Sequence, residues 1–276
     1  MLIILVIFGV LLSFHVINHL FVFVYLYIEY GLENIKDPQL YPAVPLKLLL
    51  KNFCLEFWYV NSKYFLYPYK FCNLTENLAK NSTAILLIHG YVRNQSDWLW
   101  FIKKLAPAGH PIYAVNLAPS FGSIQEITSN SLPKKIQQIK KETDCQQVIL
   151  IGHSMGGLVA SYYSEYLDES GLIKNVITIA TPYHGTKLSI VAAGANGEQM
   201  LPGSKFNTEL RDKISKSSRN YYQVASRFDN IVFPWQSVLL ETSPLEQQLV
   251  LPFASHLGLL HSKTVITQIV DWLQLC

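Results

Sequence analysis

Charge is scarce in this chain and nowhere concentrated. Only 15% of its 276 residues are Asp, Glu, Lys or Arg, 22 basic against 19 acidic, and no cluster of Lys and Arg makes the stripe that nucleic acid requires. A nucleic-acid partner is therefore not expected. Cysteine is as sparse: Cys54, Cys72, Cys145 and Cys276 follow neither a metal-ligand spacing nor a disulfide framework, although Cys54 and Cys72 can pair in an oxidising compartment. No metal or cofactor motif is present, and no repeat or low-complexity linker divides the later chain.

What is abundant is apolar sequence, which makes up half of the residues and is enough for a full-sized core. It is unevenly placed. Leu2 to Ile28 holds no charged side chain and, as a helix, is long enough to cross a hydrocarbon layer of about 30 Å. Residues 1–30 are accordingly read as a single-pass membrane anchor. A cleaved signal peptide would need a basic n-region and a small-x-small cleavage site, and both are missing. His15 and His19 share one helical face near Asn18, yet two imidazoles without a third ligand are tolerated polar residues before they are a metal site. Lysines beyond the anchor are offset by Glu29, Glu33 and Asp37, which leaves the side of the membrane undecided. The sequons at Asn73, Asn81 and Asn94 decide it no better.

Residues 31–80 form an amphipathic linking region. Leu46, Leu50, Phe53, Phe57, Val60 and Tyr64 recur at three- and four-residue steps, with Lys47, Lys51, Glu56 and Lys63 mostly elsewhere. That spacing predicts a helix, lying either on the membrane surface or on the following domain.

From residue 81 to 276, apolar β-rich runs alternate with helical stretches. The strand candidates are 84–90, 112–118, 146–152, 175–181, 221–227 and 247–255, the last ended or kept at an edge by its proline. Helices are expected at Gln95–Leu105, Leu132–Thr143, Met155–Leu167 and Lys263–Leu275, with Ser262 placed to cap the last. Alternation of this kind predicts an α/β domain, a mostly parallel sheet covered by helices.

Within it, GHSMG sets Ser154 between Gly152 and Gly156, after a strand and before a helix. G-x-S-x-G in that context is a nucleophile elbow: the tight turn strains the serine backbone and lifts its hydroxyl above the sheet edge. A serine needs a base and an acid, which in this architecture follow in the order acid, then histidine, after later strands. Asp229 stands just past 221–227, and His256 just past 247–255. Glu241 and Glu246 come too late for the acid, Asp212 falls in a polar helical stretch, and His261 adjoins the last helix. His184 is expected to be structural, His153 to point away from the hydroxyl, and His89 to organise the loop below the site. Oxyanion donors are assigned to the backbone N–H groups of Met155, after the nucleophile, and Tyr91, in the loop after the first strand.

The segments LLIHGY, VILIGHSMGGLVA, TIATPYHGT, RFDNIVFP and SHLGLLHSKTV resemble the successive motifs of α/β-hydrolase lipases and esterases, over roughly residues 84–275. The resemblance implies the α/β-hydrolase fold and a Ser-Asp-His acyl hydrolase, Ser154, Asp229 and His256 being the matching positions. It implies no cofactor and leaves the first eighty residues unmatched. The oxyanion loop reads HGYV where the family often has HGGG. The expected activity is ester hydrolysis, of lipid esters given the anchor. A thioesterase or acyltransferase with the same triad, or a membrane-anchored binding protein that lost catalysis, remains an alternative. The connection 187–220 is apolar at first and holds three glycines, as either a lid or a surface excursion would. Oligomeric state is not legible.

Overall fold

Alternate residues of the central strands are apolar on both sides, so the sheet they build must be covered on both faces. The structure, a computed structural model, describes residues 20–25, 27–72, 74–76 and 82–276. Residues 1–19 and 26 of the expected anchor, with His15, Asn18 and His19, lie outside the described residues, as do the sequons at Asn73 and Asn81 and the side chain of Tyr64.

A seven-stranded sheet runs in the order β1-β3-β2-β4-β5-β6-β7. The strands are β1 (Thr75–Glu76), β2 (Thr83–Ile88), β3 (Ile112–Val115), β4 (Gln147–His153), β5 (Asn175–Ile179), β6 (Asn220–Ser226) and β7 (Gln248–Leu251). All neighbours are parallel except the short β1, which sequence periodicity could not show and which pairs antiparallel with β3. Their carboxyl ends therefore share one edge. β7 lies at the border of the sheet and stops before Pro252, as a residue without an N–H requires.

Helices α1 (Leu46–Phe65), α2 (Leu99–Leu105) and α7 (Lys263–Leu275) lie on one side; α3 (Ile124–Thr143), α4 (Met155–Tyr162) and α6 (Lys205–Ser215) lie on the other, with the short α5 (Ala195–Gln199) near the site. Ala84, Leu86 and Ile88 pack into one core and Ile85 and Leu87 into the other, the period of two made visible. α3 begins eight residues before the expected Leu132. Ser123 caps it by accepting from Glu126 N–H at 3.1 Å, and Pro133, which reads locally as a first-turn residue, is carried inside the helix. Ser262 caps α7 as expected, accepting from Val265 N–H.

The N-terminal segments depart most from expectation. Helical residues 20–25 and 27–36 lie on the domain, with the Phe23 and Tyr30 rings 6.4 and 5.3 Å from Phe228. Among the described residues no helix is long and apolar enough to cross a membrane. α1 forms, but its buried stripe is Leu49, Asn52 and Glu56, while Leu46 and Leu50 are exposed. The fully buried side of the helix is thus offset by about one residue from the face its apolar spacing selects, of which Phe53, Phe57 and Val60 stay half-buried. Cys54 and Cys72 are both exposed and unpaired, so the bridge considered between them is not made.

The connection 187–220 divides in two. Residues of α6, Phe206, Leu210 and Ile214, are buried in the core beside α4, whereas Ile190 and Val191 are 80% and 76% exposed. Only the first part has the character of a covering flap.

Candidate active site

β4 delivers the chain into a corner that few residues tolerate. Ser154 caps α4 with φ 56° and ψ −127°, a conformation that costs an L-residue of order 1–3 kcal/mol. The surroundings hold it there: Ser154 N–H donates to Ile179 O at 2.8 Å, and Thr181 Oγ donates to Ser154 O at 3.1 Å. A Cβ on Gly152 would stand 2.5 Å from the backbone of Gly156 and Gly157, and one on Gly156 would run into the carbonyls of Ile88 and His89. Gly156→Ala must therefore push α4 off β2, and it is expected to destabilise the fold by about 2–4 kcal/mol; thermal or urea denaturation against wild type reads the loss.

Asp229 follows β6 and His256 follows β7, which brings both to the same sheet edge as Ser154. His256 Nδ1 lies 3.0 and 2.9 Å from the two Asp229 carboxylate oxygens. Asp229 Oδ1 also accepts from Ile231 and Val232 N–H, each at 2.8 Å. The carboxylate is thereby fixed from behind, facing His256. Ser154, Asp229 and His256 are all buried. Burial works against charge on His256, but Asp229 and, further off, Glu56 outweigh it and hold the imidazole above its usual pKa of 6.5.

The loop after β2 runs beside the serine, the Cβ direction of Gly90 pointing at Ser154 Cβ. His89 sets its path: Nδ1–H donates to Gly90 O at 2.9 Å and Nε2 accepts from Leu117 N–H at 3.0 Å. That tautomer is neutral, in keeping with a pKa pushed down to about 4 by burial. Met155 opens α4, so its N–H belongs to the first-turn donors without an intrahelical acceptor. The Tyr91 side chain, assigned no part from sequence, bridges to the flap: its hydroxyl donates to Ala193 O at 2.8 Å and accepts from Ala193 N–H at 2.9 Å. Gly185 and Gly194, at φ 85° and 87°, bracket this flap, and Lys187 ties it to Glu29 at 2.7 Å. Tyr91→Phe removes the bridge and is expected to lower kcat/KM about three- to tenfold with little change in melting temperature, as steady-state kinetics beside a thermal melt would show.

The rival residues are drawn elsewhere. Asp212 pairs with Lys216 on the surface; Glu241 is exposed beside His184; and the Glu246 carbonyl accepts from the Trp272 indole. His261 stacks on Tyr59 with centroids 4.0 Å apart, its pKa lowered to about 4 by burial. His184 donates to Leu239 O at 3.1 Å and meets Arg211, a structural role. His153 has a part that sequence did not assign: its Nε2–H donates to His256 O at 3.3 Å and its ring lies 4.5 Å from the His256 ring. Burial and the neighbouring His256 keep it neutral. Asn94, the third sequon, is buried and accepts from Ser96 N–H as a helical cap.

The residue that sequence reading missed altogether is Glu56. Assigned by helical period to the polar face of α1, it is buried against the loops that carry Asp229 and His256. Arg93, on the Tyr91 loop and paired with Asp97 at 2.6 Å, also reaches the α1 carbonyls of Tyr59 and Val60. Among the described residues no group of three His, Cys, Asp or Glu is arranged to hold a metal ion.

An elbow serine over a parallel sheet, with a buried Asp–His pair at the same edge, defines a class, and residues 83–265 match the alpha/beta hydrolase fold family. The chain belongs to that family. Its relatives include the pimeloyl-acyl-carrier-protein methyl ester esterase of Yersinia pestis, 30% identical over 97 residues, which are 35% of this chain and 36% of that protein. The triacylglycerol lipase of Pseudomonas fragi is 36% identical over 64 residues, 23% of this chain and 21% of that one. Among solved structures, the mature lipase BlEst2 of Bacillus licheniformis superposes with a TM-score of 0.58 at 16% identity, over 70% of this chain and 91% of that chain. The chain spans about a third of the length of the curated relatives it matches.

Proposed function

We propose that this chain is a membrane-anchored serine hydrolase that cleaves carboxylic esters, lipid esters above all, through an acyl-enzyme. The observation that carries the reading is the buried Asp229–His256 pair, at 2.9 Å, on the edge where the strained Ser154 is presented. Asp229 accepts a hydrogen bond from His256 Nδ1–H, which fixes the proton there and leaves the Nε2 lone pair of His256 free to act as base. Ser154 attacks the ester carbonyl as its proton passes to Nε2; the C–O bond then breaks and the proton goes to the departing alkoxide. A water molecule, deprotonated by the same nitrogen, attacks the acyl-enzyme, releasing the acid and returning the proton to Ser154 Oγ. The N–H groups of Met155 and Tyr91 hold the oxyanion in both steps.

Lipid esters are favoured by exposed apolar side chains: Ile190 and Val191 on the flap, and Leu46, Leu50, Trp58 and Phe65 on α1. The uncharged run that begins at Leu2, in the part that precedes the residues seated on the domain, serves as the anchor that keeps the site at a bilayer. Extraction by detergent but not by alkaline carbonate is expected, and release by carbonate alone would overturn the anchor.

The test of activity is hydrolysis of p-nitrophenyl esters from acetyl to palmitoyl by the detergent-extracted full chain beside Ser154→Ala. Activity that rises with chain length and needs Ser154 supports the reading. A folded chain with no turnover and no fluorophosphonate label sinks it. The pH dependence has a definite sign: a base must be unprotonated, and His256 is held above 6.5, so kcat/KM should fall on acidification with an apparent pKa above that value. A profile still flat below pH 6 would refute His256 as the base.

A further inference from the structure

Helix α1 lies outside the family-matched residues 83–265, yet its Glu56 is 1% exposed and reaches both acid and base loops. Glu56 Oε2 accepts from Leu257 N–H at 3.1 Å, and Oε1 accepts from Asn230 Nδ2 at 3.3 Å. Asn230 Oδ1 in turn accepts from His256 N–H at 2.7 Å, while His256 O accepts from His153 at 3.3 Å. Side chains from three separate elements thus hold the backbone of His256 and its successor. Two of the four bonds depend on Glu56.

No Lys or Arg forms an ion pair with Glu56 among the described residues. A carboxylate buried without such a cation is costly, and burial pushes the Glu56 pKa up accordingly. A helix that needed only to pack would turn its apolar stripe inward. α1 instead leaves Leu46 and Leu50 exposed and Phe53, Phe57 and Val60 half-buried, while Glu56 is fully buried at these donors.

We propose that Glu56 is a positioning residue for the reaction, holding the His256 loop in register with Asp229 by accepting from Leu257 N–H and from Asn230. The inference rests on the serine-hydrolase reading above. It makes the N-terminal helix part of the working enzyme.

The geometry supplies its own rescue experiment. In Glu56→Gln the new amide oxygen satisfies one donor, but its NH₂ faces another donor. Adding Asn230→Asp turns that clash back into a bond, with the carboxylate at 230 accepting from both the new amide and His256 N–H. Glu56→Gln in the full chain is expected to lose about 10- to 100-fold in kcat, with KM changed less than about twofold. The rate is taken per serine titrated by fluorophosphonate, so that misfolded protein is not counted. The double variant should return to within about fivefold of wild type. A wild-type rate per titrated site in Glu56→Gln, or a double variant no better than the single one, overturns the inference. Should the single variant not fold, the double variant decides alone by the same fivefold criterion. Failure of the underlying reading is separable, because the wild-type chain itself would then neither label at Ser154 nor hydrolyse esters.

Discussion

Replacing Ser154 by alanine is expected to cut kcat for ester hydrolysis by about 10⁴- to 10⁶-fold and to abolish fluorophosphonate labelling. In the proposed mechanism the hydroxyl forms the covalent bond, and the residues around it cannot stand in for it. His153 is turned away to the His256 carbonyl, Thr181 Oγ is engaged by Ser154 O, and none of the four cysteines belongs to the site. What survives is the contribution of substrate binding and the oxyanion donors. The fold should survive too, because alanine removes only the strained residue's hydroxyl. A variant that keeps more than about a hundredth of the wild-type rate would move the nucleophile elsewhere.

Asp229→Asn is expected to cost about 10⁴-fold in kcat, and the hydrogen bonds show why so small a change is so damaging. Oδ1 of Asp229 receives Ile231 and Val232 N–H, so in the amide variant the retained oxygen must stay at that position. The NH₂ group is then forced towards His256 Nδ1. It can only donate there, which moves the imidazole proton to Nε2 and removes the lone pair that should accept from Ser154. The variant should melt close to wild type and still bind substrate, the loss falling on kcat rather than KM. A drop below about tenfold would show that Asp229 does not fix the tautomer.

How much of this was legible in the residues differs from one group to the next. Ser154, Asp229 and His256 follow three parallel strands, the apolar run of β4 clear and those of β6 and β7 less clean, and parallel strands place their following loops at one edge whatever the details of packing. The elbow was readable because its steric demand is local, satisfied by glycines two residues either side of the serine. α3 was entered late because Pro133 mimics a helix start, and the short β1 carries no period at all. Tyr91 was read for its N–H alone, since nothing within its neighbourhood in sequence announces Ala193, 102 residues away, as the partner of its hydroxyl.

Glu56 marks the limit of periodicity. A helical pattern ranks faces by hydrophobicity, and by that rule a glutamate belongs outside; the rule fails where buried donors, one a backbone N–H and one a side-chain amide, need an acceptor more than the core needs another leucine. Those donors belong to residues 174 and 201 positions later. Sequence alone determined the alternation of strand and helix, the elbow and the order of its partner residues, because strand period and turn sterics act over a few residues. The rotation of α1, the seating of residues 20–36 on Phe228, the split of the 187–220 connection and the clamp on His256 were decided only by tertiary structure, because each depends on which distant polar and apolar groups the fold leaves unsatisfied.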